Sequence, residues 1–156
     1  MATTDIRRVR GASDFELLRA LLTEYENRLP PDLRHGSVPD AAAVARLYRD
    51  PNAAFLAVRG GVAAGCVAVT RLDASKARLR HLFVTPAFRG RGLARQLTEA
   101  AIAFAGENGY GVLTLDTEKT RLEPAYRLYV SLGFEECAPD GPVDYECPTF
   151  MRLRLR

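Results

Sequence analysis

The chain has 156 residues, of which 47% are hydrophobic and 26% charged, and this composition suits one globular domain spanning residues 1–156. No apolar run approaches the roughly 20 residues of a membrane helix, and residues 1–10 lack the apolar stretch of a secretory signal, so we expect a cytoplasmic protein without a membrane partner. The net charge of +3 does not by itself indicate nucleic acid, and the three cysteines and two histidines lack metal-ligand spacing, so no metal site is expected.

The first third of the chain predicts one short strand and two helices. Residues 5–10 form a weak strand pattern. Ser13 and Glu16 fit a capping box, and apolar residues follow at helical spacing until Pro30 stops the helix. After a polar loop, Asp40 is the predicted cap of a second, shorter helix.

The rest of the chain alternates strands with two further helices. Two apolar runs flank Gly60-Gly61, which is a strong hairpin signal. The predicted strands are 54–58, 62–70, 77–84, 112–115, 134–138 and 150–155, and the predicted helices are 93–108 and 123–132. This order predicts an α+β fold with a mixed, mostly antiparallel sheet of about seven strands flanked by about four helices.

Residues 79–95 are the most informative segment, since they read as strand, glycine-rich turn and helix start. A helix start leaves backbone N–H groups without intrahelical partners and carries a positive partial charge, so it suits an anion. Gly90 and Gly92 allow close approach of the backbone to that anion. Forked donors for phosphate oxygens come from Arg89, Arg91 and Arg95. The spacing matches neither a Walker loop nor a dinucleotide fingerprint.

Two segments together resemble a known family. The turn is similar to the R/Q-x-x-G-x-G/A signature of the GNAT acetyltransferases, matched by Arg89, Gly92 and Ala94. Residues 125–134 resemble the A-x-x-L-Y-x-x-x-G-F segment of the same family, in the usual order and separation.

The resemblance implies a GNAT domain that uses acetyl-CoA as co-substrate for N-acetyl transfer to an amine. It implies that the fourth strand splays from the fifth at a bulge and binds the pantetheine arm through the backbone of Leu82, Phe83 and Val84. The pyrophosphate is then expected on the turn formed by Arg89, Gly90, Arg91, Gly92, Leu93, Ala94 and Arg95. The family often dimerises, so a homodimer is possible.

The resemblance also implies one catalytic residue, Tyr129, which occupies the position that protonates the leaving thiolate. Tyr126, one helical turn earlier, is the substitute candidate. Many relatives carry a glutamate as general base where this chain has Arg78, and an asparagine that binds the cofactor arm where it has Leu122. The base stays unassigned. The candidates are His81, which we expect to be solvent-facing, Glu24, Tyr25, Asp116 and Glu118.

The acceptor amine is expected to be selected by residues 24–38 and 139–148. Five acidic side chains in or near these segments could attract a cationic amine, although solvated loops are the simpler interpretation: Asp32, Asp40, Asp140, Asp144 and Glu146. Residues 118–121 are likewise expected to form a solvated loop.

Three other functions remain open. A GNAT toxin that acetylates aminoacyl-tRNA would fit the arginine content, but the arginines are scattered and interrupted by acidic residues, so a nucleic acid partner is not expected. A non-catalytic acetyl-CoA sensor fits the missing carboxylate at Arg78. An RNA-binding module is disfavoured, because RGG segments lie in low-complexity surroundings and this turn does not.

Overall fold

The computed structural model describes residues 3–139 and 149–155. The strands are β1 (Thr4–Arg8), β2 (Ala53–Arg59), β3 (Val62–Arg71), β4 (Lys76–Val84), β5 (Val112–Thr117), β6 (Glu135–Cys137) and β7 (Thr149–Arg154). The helices are α1 (Ala12–Arg28), α2 (Ala41–Leu47), α3 (Leu93–Glu107) and α4 (Glu123–Ser131). Two short 3-10 turns, Pro31–Leu33 and Pro86–Phe88, precede α2 and α3. Within the described ranges, no helix is both long and apolar enough to span a membrane.

The seven strands form one open sheet in the order β1-β2-β3-β4-β5-β7-β6. Every pairing is antiparallel except that of β4 with β5, which is parallel and covers only three residue pairs, ending at Arg78 and Thr114. Beyond that pair the two strands diverge, so the expected mixed sheet with splayed fourth and fifth strands is confirmed.

The β2–β3 hairpin forms where the glycine pair predicted it. Gly60 and Gly61 both have positive φ, 58° and 77°, as a two-residue turn that matches the twist of the strands requires. This hairpin sets the register of the central strands.

The start of α1 differs from the predicted capping box. The helix begins at Ala12 with Gly11 as its N-cap, and no side chain caps it, so Ser13 lies inside the helix. The Val9 N–H binds the Ala54 carbonyl at 2.9 Å, which holds the chain on β2 until just before the turn at Gly11. The predicted cap at Asp40 is confirmed, because its side chain accepts the N–H of Ala43 at 2.9 Å.

The sheet separates two hydrophobic clusters. One face packs against α3 and α4 around Leu97, Leu113 and Met151, all inaccessible to solvent. The other face packs against α1 and α2 around Leu18 and Val44. Both layers meet at the gap between β4 and β5, which is therefore the place where a ligand can enter the sheet.

Candidate active site

The gap between β4 and β5 is produced by a bulge in β4. Cys66 of β3 pairs with Phe83, but Ala68 pairs with Arg80, so β4 has one more residue than β3 in this interval. His81 lies in this bulge with φ 58°, an uncommon conformation for a residue other than glycine. The bulge bends β4 away from β5 and leaves the β5-facing edge of its second half unpaired among the described residues.

Gly65 allows β3 to follow this bend closely. A Cβ at Gly65 would lie 2.7 Å from the carbonyl oxygen of Phe83 and 3.1 Å from the Leu97 side chain. Only glycine fits so near another backbone. The bent edge of β4 therefore depends on a small residue in the neighbouring strand.

The segment after β4 forms a turn that exposes the start of α3. Gly90 and Gly92 both have φ 78°, and the first helical bond runs from the Gln96 N–H to the Gly92 carbonyl at 3.1 Å. The preceding N–H groups consequently have no intrahelical acceptor. Arg89 ties the turn to β4, because its Nε donates to the Val84 carbonyl at 3.0 Å.

A cavity of about 580 Å³, here called the larger cavity, lies between this turn, the second half of β4 and the start of α4. Nine of the ten predicted cofactor-binding residues line it: Leu82, Phe83, Val84, Arg89, Gly90, Gly92, Leu93, Ala94 and Arg95. The tenth, Arg91, is not among its lining residues, and its guanidinium lies 5.9 Å from the centre of the Phe88 ring. Arg28 and Arg121 add two further cations to the wall.

A second cavity of about 140 Å³, the smaller cavity, occupies the gap itself. Tyr129 of α4 and Asp116 of β5 line it, and it shares the walls formed by Tyr25, Leu29 and Leu82 with the larger cavity. The two cavities thus meet at the bulge of β4.

No group of three or more histidine, cysteine, aspartate or glutamate side chains within residues 3–139 and 149–155 has the arrangement of a metal site. Cys147, Asp140, Asp144 and Glu146 lie outside the described residues.

A strand that splays at a bulge, followed by a glycine turn at a helix start, is the arrangement that the family resemblance implied. A sequence model described as the acetyltransferase (GNAT) family matches residues 15–134. The chain belongs to this family.

Two relatives and a solved structure support this assignment. The chain is 34% identical over 154 residues to an uncharacterized N-acetyltransferase of Schizosaccharomyces pombe, covering 96% of this chain and 94% of that protein. It is 34% identical over 119 residues to the N-acetylaspartate synthetase of Danio rerio, covering 74% of this chain but 41% of that protein. A putative acetyltransferase from Salmonella typhimurium, solved with its cofactor acetyl-CoA, superimposes with a TM-score of 0.81 at 20% identity, covering 98% of this chain and 94% of that chain.

The two tyrosines of α4 have different surroundings in this GNAT domain. Tyr129 is buried, contacts Phe134 edge to face at 5.6 Å, and faces the gap. Burial, followed by the nearby Tyr25 and Asp116, raises the pKa of the Tyr129 phenol, so the hydroxyl keeps its proton at neutral pH. Tyr126 lines neither cavity and instead donates its hydroxyl hydrogen to Glu136 at 2.7 Å.

His81 is not solvent-facing, so that expectation is wrong. The bulge turns its ring into the wall of the smaller cavity, 5.9 Å from the Tyr25 ring and 5.7 Å from the His35 ring. Burial, followed by the neighbouring charges of His35 and Arg80, lowers the pKa of His81 to about 4. The direction of this side chain depends on the extra residue of the bulge, which the sequence pattern does not reveal.

Residues 119–121 are exposed, as expected of a solvated loop, but Glu118 is buried. The Glu118 side chain, only 6% exposed, accepts hydrogen bonds from the hydroxyl and N–H of Thr120 and from Nε of Arg121 at 2.7–2.9 Å. These donors lower the pKa of Glu118 to about 2, the hydroxyl of Thr120 first. Arg121 also donates two bonds to the Asp32 carboxylate, at 2.9 and 3.0 Å, which joins this loop to the end of α1.

The candidate bases are therefore placed very differently. Glu24 pairs with Arg28 on α1 and lines neither cavity. Asp116 and Tyr25 line the smaller cavity, and Arg78 lies 3.5 Å from Asp116.

Two acidic residues considered for attracting an amine have structural partners, since Asp32 binds Arg121 and Asp40 caps α2. Leu122, which stands where relatives often carry an asparagine that binds the cofactor arm, lines both cavities.

Sequence reasoning missed one pair in the site, Glu26 and His35. Both lie within the segment predicted to select the acceptor, but neither was a base candidate. Glu26 follows Leu18 and Leu22 at intervals of four, so it falls on the buried stripe of α1. A charged residue on an apolar stripe needs a partner, and this signal could have identified it.

Proposed function

We propose that this protein transfers the acetyl group of acetyl-CoA to a primary amine, by direct attack of the amine on the thioester. The observation that carries the proposal is the junction of the larger and smaller cavities at the bulge of β4, with the turn at Arg89 to Arg95 on one side and Tyr129 on the other. A long phosphorylated thioester has room on one side of this junction, and an amine on the other.

The turn and the edge of β4 suit the two ends of the CoA moiety. Phosphate oxygens fit the N–H groups at the start of α3, with positive charge from Arg89 and Arg95 in the same wall. The pantetheine arm carries amides, and the unpaired edge at Leu82 to Val84 offers backbone groups for them. A backbone N–H on this edge would also polarise the thioester carbonyl.

Tyr129 is the proposed proton donor to the departing sulfur. Its phenol stays protonated because burial raises its pKa, and the same dry surroundings disfavour a free thiolate. A proton delivered from Tyr129 as the carbon–sulfur bond breaks leaves the sulfur as a neutral thiol, and Tyr129 regains a proton from the attacking nitrogen, so neither a thiolate nor a phenolate remains in the buried site.

The first experiment is a calorimetric titration with acetyl-CoA, and separately with 3′-dephospho-CoA and ATP. We expect a dissociation constant on the order of micromolar for acetyl-CoA and much weaker binding of ATP. Absence of both heat and thermal shift with acetyl-CoA would contradict the proposal.

The matched variants Gly92→Glu and Gly92→Ala separate charge from backbone strain. Both place a side chain at φ 78°, where a Cβ meets no atom within 4 Å, so both carry a similar strain of about 1 kcal/mol. Only the glutamate puts a carboxylate where phosphate should bind, so we expect it to abolish acetyl-CoA binding while the alanine variant still binds. Equal affinity of folded Gly92→Glu and wild type would remove the pyrophosphate assignment.

Turnover is then measured as release of free CoA thiol with a panel of amines. The panel contains polyamines, aminoglycosides, peptides with free N-termini or lysine, and amino acids, including the aspartate implied by the name of the zebrafish relative. Binding of acetyl-CoA without turnover of any amine would favour a sensor over an enzyme.

A further inference from the structure

We infer that His35, held by Glu26, is the general base that takes a proton from the acceptor amine, an inference that rests on the proposed acetyl transfer. The loop between α1 and α2 would then supply the group that many relatives place on the fourth strand. Glu26 acts through His35 and is a positioning residue.

Three hydrogen bonds fix His35 on the Glu26 carboxylate. The backbone N–H of His35 donates to both carboxylate oxygens, at 2.8 and 3.0 Å, and Nδ1 lies 2.8 Å from Oε1. A carboxylate accepts only, so Nδ1 carries hydrogen and the lone pair of a neutral ring is on Nε2. Arg34 anchors the same loop, because its Nε donates to the Leu29 carbonyl at 3.1 Å.

His35 lies where an amine can reach it. Its ring lines the smaller cavity and also a third cavity of about 150 Å³ on the side of α2. Its side chain is 51% exposed, whereas that of Glu26 is 12% exposed. The imidazole can therefore meet both substrate and water, and Glu26 meets mainly the imidazole.

The other candidates in the gap are less suited to this task. Burial keeps His81 neutral at pH 7 but makes it a weak base, since its pKa is lowered to about 4. Glu118 has a pKa lowered to about 2 and is surrounded by its own donors. Asp116 has the Arg78 guanidinium 3.5 Å away. His35 combines an accessible ring nitrogen with a carboxylate that holds the ring in one orientation through Nδ1.

The electrostatic surroundings of His35 come from four elements. Charged and titratable groups face it or share its cavity: Tyr25 and Glu26 of α1, Arg80 and His81 of β4, Asp116 of β5, and Tyr129 of α4. Burial, followed by the charges of His35 and Arg80, lowers the pKa of His81, so the buried ring of His81 stays neutral at neutral pH.

The proton balance of the reaction follows from these positions. One proton leaves the ammonium of the acceptor for Nε2 of His35 and passes to solvent. The neutral nitrogen then attacks the thioester carbon, so a C–N bond forms as the C–S bond breaks. Tyr129 supplies the proton of the CoA thiol and regains one from the nitrogen of the collapsing intermediate.

The kinetic test compares His35→Gln, Glu26→Gln and the matched control Glu16→Gln, an exposed glutamate of the same helix. The substrates are the best alkylamine of the panel and hydroxylamine, which is already neutral at the assay pH. We expect His35→Gln to lower kcat/KM for the alkylamine by about 100-fold, and for hydroxylamine by less than about 5-fold. Imidazole in the buffer should partly rescue a His35→Ala variant.

A comparison of the two substrates tests Glu26. In Glu26→Gln the amide can donate to or accept from Nδ1 and no longer keeps hydrogen on that nitrogen, so we expect kcat/KM to fall more for the alkylamine than for hydroxylamine. Loss of folding alone would lower both rates equally, and Glu16→Gln should change neither.

Nitrogen-15 NMR of the histidine rings gives a test that needs no turnover. The chain contains two histidines, so the His35→Gln spectrum assigns both. We expect His35 above its titration range to carry hydrogen on Nδ1 in wild type, and to show a mixture of the two forms in Glu26→Gln. Hydrogen on Nε2 in wild type would overturn the inference.

Failure of this inference differs from failure of the proposed function. Wild-type turnover with unchanged rates in His35→Gln would overturn the base assignment and leave acetyl transfer intact. Acetyl-CoA binding without turnover of any amine would overturn both.

Discussion

Two phenols one helical turn apart on α4 show how surroundings set the role of a residue. Tyr129 faces the gap in a buried position, whereas Tyr126 donates a hydrogen bond to Glu136 and lines neither cavity. The sequence placed both at helical spacing and could not distinguish them except by the family motif. Their surroundings favour Tyr129 as the proton donor.

Changing Tyr129 to phenylalanine should lower kcat by about 10- to 1000-fold with little change in acetyl-CoA affinity. The ring keeps its packing against Phe134, so only the hydroxyl is lost. Tyr126→Phe is the control, since it removes the bond to Glu136 and should leave kcat unchanged. Equal kcat for wild type and Tyr129→Phe would show that the Tyr129 hydroxyl does not act in catalysis and that the residue serves only in packing.

The motif residues could be located from the sequence because glycines and a helix start act locally. Gly90 and Gly92 form the predicted turn with their own backbone conformations. Glu26 and His35 could not be paired in this way, since they are nine residues apart and meet only when the loop folds back on α1. Contacts of this kind depend on tertiary structure, as does the direction of His81 in its bulge.

Elements were predicted best where a strong local signal matched the tertiary contacts. The glycine pair of the β2–β3 hairpin and the Asp40 cap of α2 are such cases. The start of α1 was predicted incorrectly, because pairing of Val9 with β2 determines where the chain turns. The divergence of β4 from β5 was expected from the resemblance to the family. No local sequence pattern predicts the bulge that causes this divergence.

The shape of β4 should be sensitive to Gly65, a residue of the neighbouring strand. Gly65→Ala would push against the Phe83 carbonyl, so we expect a loss of about 1–3 kcal/mol of stability and weaker acetyl-CoA binding. Thermal unfolding and calorimetry measure the two effects.

Gly106→Ala is the matched control for this substitution. A Cβ at Gly106 meets nothing within 4 Å on α3, so helix propensity predicts a gain of about 0.5–1 kcal/mol and unchanged affinity. If Gly65→Ala bound acetyl-CoA as tightly as wild type, the edge of β4 would not depend on this contact.

At the scale of the whole molecule, two ionisable groups tie folding to pH in ranges that overlap only between about pH 4.5 and 4. The pKa of His81 falls from 6.5 to about 4 on folding, mainly through burial, and that of Glu118 from 4.5 to about 2, mainly through its hydrogen bonds to Thr120. In both cases the unfolded chain binds the proton more tightly, so stability is lost as pH falls. For His81 the loss spans pH 6.5 to 4, and for Glu118 pH 4.5 to 2.

Two variants should each remove the pH dependence of stability that one of these groups causes. His81→Asn keeps a residue that tolerates positive φ and removes the titrating ring, so the free energy of unfolding should stay nearly level from pH 6.5 to 4, where wild type loses up to about 3 kcal/mol. Glu118→Gln should be less stable than wild type at pH 7, and this difference should shrink as pH falls from 4.5 to 2. Urea unfolding at several pH values measures both. Because a mere packing defect would lower stability equally at every pH, parallel pH curves for wild type and variant would show that the group in question does not couple protonation to folding.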